Sequence, residues 1–268
     1  MGSKIKNMCI SLLRKISKRK KSLESWVDPL STLRKKWQVV PGAGDKRVHI
    51  KDLLKLSDEE FLRTWLEIRK KDSTGENFCK RGWYHELYKE FMKGKKVLDV
   101  GCGLGIDGVT FAQYGAEVTF LDIVEDNLKA VKRICSLLNL KNVSFFYMED
   151  FSSLKKLGIY DVIWAQGSLH TAPFNVIKKE VKELVKHLKI GGRWIQLAYP
   201  KSRWIREGKL PFYEWGEKTD GEGTPWIEWY DLDKLLKLLE PAKFDVILYF
   251  EFHNNDFNWF DLIKRDEG

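Results

Sequence analysis

The chain holds only four cysteines, Cys9, Cys79, Cys102 and Cys135, and no two of them form a CxxC pair. That scarcity speaks against a disulfide scaffold and a thiolate zinc site, so no metal is expected and a reducing, cytoplasmic setting is. No apolar run approaches the roughly 20 residues that a membrane span requires. A secretory leader needs an unbroken apolar stretch and a small-residue cleavage site, and the N-terminal residues offer neither. The body also lacks net charge. Of 47 Lys/Arg and 38 Asp/Glu in 268 residues, 11 basic and two acidic ones fall within residues 1–40, which leaves 36 of each for the rest. A polyanion-binding enzyme would carry a basic stripe on its body, so nucleic acid is a disfavoured partner.

What is present reads as a folded chain: 43% hydrophobic and 32% charged residues, the balance of a globular α/β protein with appendages. Residues 1–40 form a basic amphipathic arm. Ile5, Met8, Cys9, Leu12 and Ile16 recur at helical spacing, and Lys18, Arg19, Lys20 and Lys21 follow as a run. Such a helix can lie on an anionic membrane surface, where each cation is worth about 1 kcal/mol. It can equally pack on the body, pair with a sister subunit in a homo-oligomer, or engage RNA. Val40-Pro41-Gly42-Ala43-Gly44 is the expected boundary. Residues 41–94 then read as a helical N-terminal cap. Ser57-Asp58-Glu59-Glu60 is a capping box that opens a helix through Leu62, Trp65, Leu66 and Ile68, and a second helix covers Trp83 to Met92.

After Gly94 the pattern becomes strands alternating with helices. Strands are expected near 96–100, 117–122, 143–147, 160–165, 193–199, 243–250 and 257–263, and helices near 106–114, 125–138, 174–188 and 231–239. This order specifies an α/β fold, a doubly wound and mostly parallel sheet of seven strands with right-handed crossovers. N-terminal helices precede it, and a lid insertion at 200–230 precedes its last two strands.

The densest signal is Asp99-Val100-Gly101-Cys102-Gly103-Leu104-Gly105, where a buried strand breaks into glycines and a helix begins. Glycines suit a tight turn that a ligand must approach without a Cβ in the way. The next strand ends in Asp122, placed to accept hydrogen bonds from the two hydroxyls of a ribose. A dinucleotide site usually reads GxGxxG, with the pyrophosphate on the helix N-terminus. Here the spacing is GxGxG with Asp99 beside the turn, which suits a ligand bearing an ammonium and a sulfonium.

At these residues the sequence resembles the class I S-adenosylmethionine-dependent methyltransferases, over about residues 75–264. The resemblance implies a Rossmann-like catalytic domain at 95–268 with S-adenosylmethionine as cofactor. Asp99, Gly101, Cys102, Gly103 and Gly105 match the motif that cradles its methionine part, Asp122 matches the ribose acid, and Ile123 the adenine-packing residue. Asp150 and Phe151 resemble the motif after the third strand, with Asp150 toward the adenine amine. Tyr160 to His170 resembles the segment lining the methyl-transfer site, where Gln166 would orient the cofactor and His170 act as general base. A packing role for His170 is the alternative. Trp83 would close over the methionine end or pack as a core tryptophan.

The 200–230 insertion is rich in aromatics and acids. Tyr199, Tyr213, Trp215, Trp226 and Trp229 among carboxylates would suit sugar rings or cationic amines, although they would serve as well in a packed hydrophobic cap. The sequence therefore points to methyl transfer onto a small polar acceptor, first a saccharide hydroxyl of a surface glycan or its precursor. N-methylation of a small amine or amino sugar is one rival, and RNA binding or modification through the arm is another.

Overall fold

A computed structural model describes residues 26–42, 46–75 and 78–268. The arm's apolar stripe and basic run lie within residues 1–25, outside the described residues. The chain resumes with a helix, α1 (Pro29–Trp37), started by Asp28, whose carboxylate accepts from the Ser31 amide at 3.1 Å, with proline in the first turn. Leu30 and Leu33 on its inner face are buried in the main core. The boundary expected at residue 40 falls instead inside a hairpin, because Val39–Pro41 (β1) pairs antiparallel with Arg47–His49 (β2). Residues 29–41 thus belong to the folded body.

After a short helix, α2 (Ile50–Leu54), α3 (Asp58–Ser73) opens on the capping box that its sequence announces. Its buried face is Phe61, Trp65 and Ile68, while Leu66 points to solvent. The Trp65 indole N–H donates to the Leu104 carbonyl at 2.8 Å, so this helix braces the glycine turn. A π-helical turn, Phe78–Gly82, leads into α4 (Trp83–Met92).

The sheet has seven strands in the order β5-β4-β3-β6-β7-β9-β8: β3 (Lys96–Val100), β4 (Glu117–Asp122), β5 (Val143–Tyr147), β6 (Tyr160–Gln166), β7 (Leu188–Ala198), β8 (Lys243–Phe252) and β9 (Phe257–Asp266). All neighbours are parallel except β9, which runs antiparallel to both β7 and β8. Helices α5 (Ile106–Gln113), α6 (Glu125–Leu137), α7 (Phe174–Leu184) and α10 (Leu232–Leu239) are the crossovers. Side chains alternate across the sheet with the two-residue period of a strand. Val97, Val162 and Trp164 enter one core, and Leu98, Val100 and Ile163 enter the other. Between β7 and α10 lie α8 (Lys201–Arg206) and α9 (Phe212–Asp220). Strand order reverses between β3 and β6, so the carboxyl ends of these two strands open the crevice where such sheets bind ligands. No helix of the described residues is long and apolar enough to cross a membrane.

Candidate functional site

A cavity of about 370 Å³ opens at that reversal. Its floor is the turn after β3. Gly101 sits at φ +66°, and a Cβ there would lie 2.5 Å from the Ser168 Cβ in the loop after β6. Only glycine lets the two loops close this way. Gly103, at φ +55°, faces open space, with no atom within 4 Å of where its Cβ would be. Its amide donates to Asp122 Oδ2 at 2.9 Å, and the same carboxylate accepts from the Val124 amide at 2.8 Å and Asn127 Nδ2 at 3.3 Å. Burial pushes the Asp122 carboxyl above its usual range, although these donors pull the other way. Cys102 stands beside it, its thiol raised by burial and by the nearby acids.

Two further carboxyls lie under the first turn of α5 and share one cavity wall. Asp107 accepts from Arg81 Nη1 at 2.7 Å and from Trp164 Nε1 at 3.1 Å, and His85 Nε2 lies 2.7 Å from the same oxygen as Arg81. These partners overcome its desolvation and hold it ionised, well below the usual carboxylate range. Asp99 has the opposite fate, since burial and then the charge on Asp107 push it well above that range. One acid is fixed as an anion and its neighbour is poised to meet a cation. Gln166 lines the same wall at the end of β6.

The opposite wall is built by His170, Tyr199 and Asp220. The His170 and Tyr199 rings lie 4.8 Å apart, and the tyrosine hydroxyl donates to Asp220 Oδ1 at 3.2 Å. Arg203 stacks on the Tyr199 ring, 4.4 Å from its centroid. His170 is 2% exposed and its Nδ1 has no hydrogen-bond partner. Burial first, and then the Arg203 charge, lower its pKa to about 3, so it stands as a neutral imidazole. Burial raises Asp220.

Asp99, Gly101, Cys102, Gly103, Asp122, Ile123, Gln166, His170 and Tyr199 therefore meet around one cavity, with Gly105 capping α5 just beneath it. The other expected residues lie elsewhere. Trp83 packs between Phe250, Phe252 and Trp259 on the far side of α4 and does not reach the cavity. Asp150 is exposed, and its Oδ1 accepts from Ser152 Oγ at 2.7 Å and the Ser153 amide at 2.8 Å. Phe151 packs against the core.

The insertion's aromatics also turn away from the cavity. Trp215 is fully buried and donates to Glu207 at 2.8 Å. Trp226 donates to Glu228 at 3.1 Å and meets Trp26 edge-on. Trp229 lies under the Lys234 ammonium, 4.1 Å from its ring, and Lys234 pairs with Glu228 at 2.6 Å. Tyr213 is half-buried and does not line the cavity. The Trp215 and Trp226 indoles, which the sequence offers to a ligand, are satisfied by acids of their own chain in a small cap. The Trp229 ring instead meets a cation, and its buried N–H has no partner among the described residues.

The residues that sequence reasoning missed come mostly from α1 and the hairpin. Leu30, Leu33, Trp37 and Arg47 roof the cavity. Arg34 clasps the far loops, donating to the Ile123 and Met148 carbonyls at 2.9 Å each, and Lys36 donates to the Glu222 carbonyl at 2.9 Å. The Asp28-Pro29 start signal is visible in the sequence, but the basic residues around it read as solvated arm. Glu180 on α7 also lines the cavity and was not anticipated.

Comparison with known proteins agrees with this geometry. A family model of the methyltransferase domain matches residues 97–192. Among curated proteins, a ubiquinone biosynthesis O-methyltransferase of Bordetella avium is 33% identical over 116 residues, 42% of this chain and 45% of that protein. A ribosomal RNA small subunit methyltransferase G of Clostridium perfringens is 26% identical over 157 residues, 58% of this chain and 64% of that one. The chain thus matches less than two thirds of the length of either relative. Among solved structures, magnesium protoporphyrin IX methyltransferase of Synechocystis with bound SAH superposes with a TM-score of 0.55 at 18% identity, covering 81% of this chain and 92% of that one. That likeness is one of fold.

Proposed function

We propose that this chain, whose residues 97–192 match a methyltransferase-domain model, is a class I S-adenosylmethionine-dependent methyltransferase that methylates a hydroxyl of a small polar molecule held between His170, Tyr199 and Asp220. The residues present fit the cofactor. The turn leaves space beside Gly103 that a Cβ would fill, and Asp122 stands beside that turn. Asp99 is a buried acid whose carboxyl is pushed up by burial and by the Asp107 charge, so that a cation placed against it would be favoured. When bound, S-adenosylmethionine supplies a methyl group made electrophilic by its sulfonium.

The single observation that carries this reading is the continuity of the cavity. The glycine turn, Asp122 and the Tyr199–Asp220 pair all line the same cavity, so donor and acceptor sites share one space. A shared cavity holds the reacting atoms near one another and fixes their approach. Tyr199 can accept the substrate hydroxyl proton while its own passes to Asp220, whose raised affinity for protons suits that task. His170, a weak base in this setting, orients the acceptor through its cavity-facing edge.

A saccharide, the acceptor first expected, remains within this class, but the insertion's inward rings no longer argue for it over other hydroxyl compounds. A small amine is the second reading. It is favoured by the weak basicity of His170, since an amine that arrives neutral needs no base. A polyphosphate acceptor fits poorly, because Asp99, Asp122, Glu180 and Asp220 line the cavity against the guanidinium groups of Arg47 and Arg81. An isotope-transfer screen from S-adenosylmethionine to sugars, phenols and amines decides among them. Transfer to amines alone, unaffected by Tyr199→Phe, would remove the hydroxyl reading.

A further inference from the structure

We propose that Glu180 is a cofactor-binding residue whose carboxylate accepts a hydrogen bond from the exocyclic amine of the adenine ring. The proposal rests on the cofactor reading above. Glu180 lies in the middle of α7, one turn beyond Ile177, and both line the cavity. It is 8% exposed, and no described residue donates a hydrogen bond to it. Its electrostatic neighbour is Asp122, the ribose-side acid, and not a cation. The surrounding wall is apolar, made of Leu30 and Leu33 from α1 together with Ile123 and Ile177.

A buried carboxyl without a donor is costly unless a ligand or a proton satisfies it. Without a ligand, burial and the Asp122 charge push Glu180 up to about 7, so near neutrality a proton partly fills that role. A flat ring with apolar faces and one donor at its edge completes the lobe better, because the aliphatic side chains meet the faces and the acid meets the amine. The residue expected in this role, Asp150, is exposed and engaged with Ser152 and Ser153 outside the cavity. Glu180 takes its place from a different element.

Calorimetry with the full chain tests this. S-adenosylhomocysteine is titrated against the wild type and against Glu180→Gln, Glu180→Ala and Asp150→Asn. The analogue in which a carbonyl replaces the adenine amine is titrated in parallel. A hydrogen bond to a charged group corresponds to roughly 10- to 100-fold in affinity. The wild type should prefer the adenosyl ligand by about that factor. Glu180→Ala should lose that affinity and the preference with it, Glu180→Gln should fall between, and Asp150→Asn should bind as the wild type does. Circular dichroism establishes that each variant is folded, and Glu180→Gln carries the test should the alanine variant not fold. Glu180 variants that bind within twofold of the wild type and keep the preference would overturn the proposal while leaving the cofactor reading intact. A wild type that binds neither ligand would overturn both.

Discussion

The Gly103 amide and the Asp122 carboxylate lie 2.9 Å apart, joining the turn after β3 to the end of β4 in a single hydrogen-bonded unit. Asp122, the acid expected to meet a ribose, is therefore also a structural part of the glycine turn. It is held by two backbone amides and one side-chain amide before any ligand arrives. A site prepared this way spends little binding energy on ordering itself.

Asp122→Ala should accordingly fail in two measurements. Loss of the acceptor leaves the Gly103 and Val124 amides without their partner, at about 1–3 kcal/mol each when buried. Thermal melting should fall, and affinity for S-adenosylhomocysteine should drop at least tenfold by calorimetry. Asp122→Asn keeps the shape but places an NH2 or a weaker acceptor against the same donors, so it should melt between the two and still bind weakly. Wild-type affinity in the alanine variant would show that the acid does not touch the ligand.

His170 makes the fold sensitive to acid. Its folded pKa, about 3, lies below the unfolded value near 6.5. The unfolded chain thus takes a proton that the native one refuses. The stability His170 contributes is complete above pH 6.5 and is lost as pH falls toward the folded value. Each unit in that window is worth about 1.4 kcal/mol. Measured by denaturant titration, the stability of the wild type relative to His170→Gln should decline at about that slope between pH 6 and 4. The same low value means that His170 should impose no inflection on kcat/KM near pH 6.5, and an inflection there that disappears in His170→Gln would contradict the burial of this imidazole.

Much of this was legible in the sequence. Most strand and helix boundaries from residue 96 onward follow the strand–helix alternation and glycine breaks, as at Lys96–Val100 and Glu117–Asp122. However, β7 begins at Leu188 where the pattern predicts a strand from 193, and α7 ends at Leu184 where it predicts a helix to 188. Side-chain direction was less legible. Trp83, Trp215, Trp226 and Trp229 have the composition of a binding surface, yet composition does not say which way a ring turns. Trp215 and Trp226 donate to carboxylates of their own chain, Trp83 packs among other rings and Trp229 lies under the Lys234 ammonium. Residues 29–41 misled for a related reason. Their charges suggested solvent, but Arg34 and Lys36 spend theirs on backbone carbonyls of distant loops, contacts that local pattern cannot encode.

That difference between packing and binding can be measured in the insertion. Trp215→Ala should destabilise the fold by about 3–5 kcal/mol, the range for a large buried aromatic, with little selective change in acceptor KM among molecules that remain folded. Tyr199→Phe removes only a hydroxyl, so it should melt close to the wild type while kcat falls at least tenfold. The reverse pattern would return the insertion's rings to the acceptor site.

The Arg81–Asp107 pair yields the sharpest test of the second cavity wall. Their contact, at 2.7 Å, neutralises a carboxylate that is otherwise enclosed by Trp164, Tyr84 and His85. Removing one partner of a buried pair costs roughly 3–5 kcal/mol, since the remaining charge stays desolvated. Arg81→Leu should therefore destabilise near neutral pH by about that amount, and Arg81→Lys by less. The pH dependence should also change sign. In the wild type Asp107 is depressed below its unfolded value, so its contribution is present above about pH 4 and declines below it. In Arg81→Leu, burial without the guanidinium raises the same carboxyl, and mild acid then relieves the variant by protonating it. The gap between the wild type and Arg81→Leu, followed by denaturant titration, should narrow steadily from pH 7 to pH 4. A gap that stays constant across that range would mean that Asp107 does not depend on Arg81 for its charge, and that the anion beside Asp99 is held by the remaining donors alone.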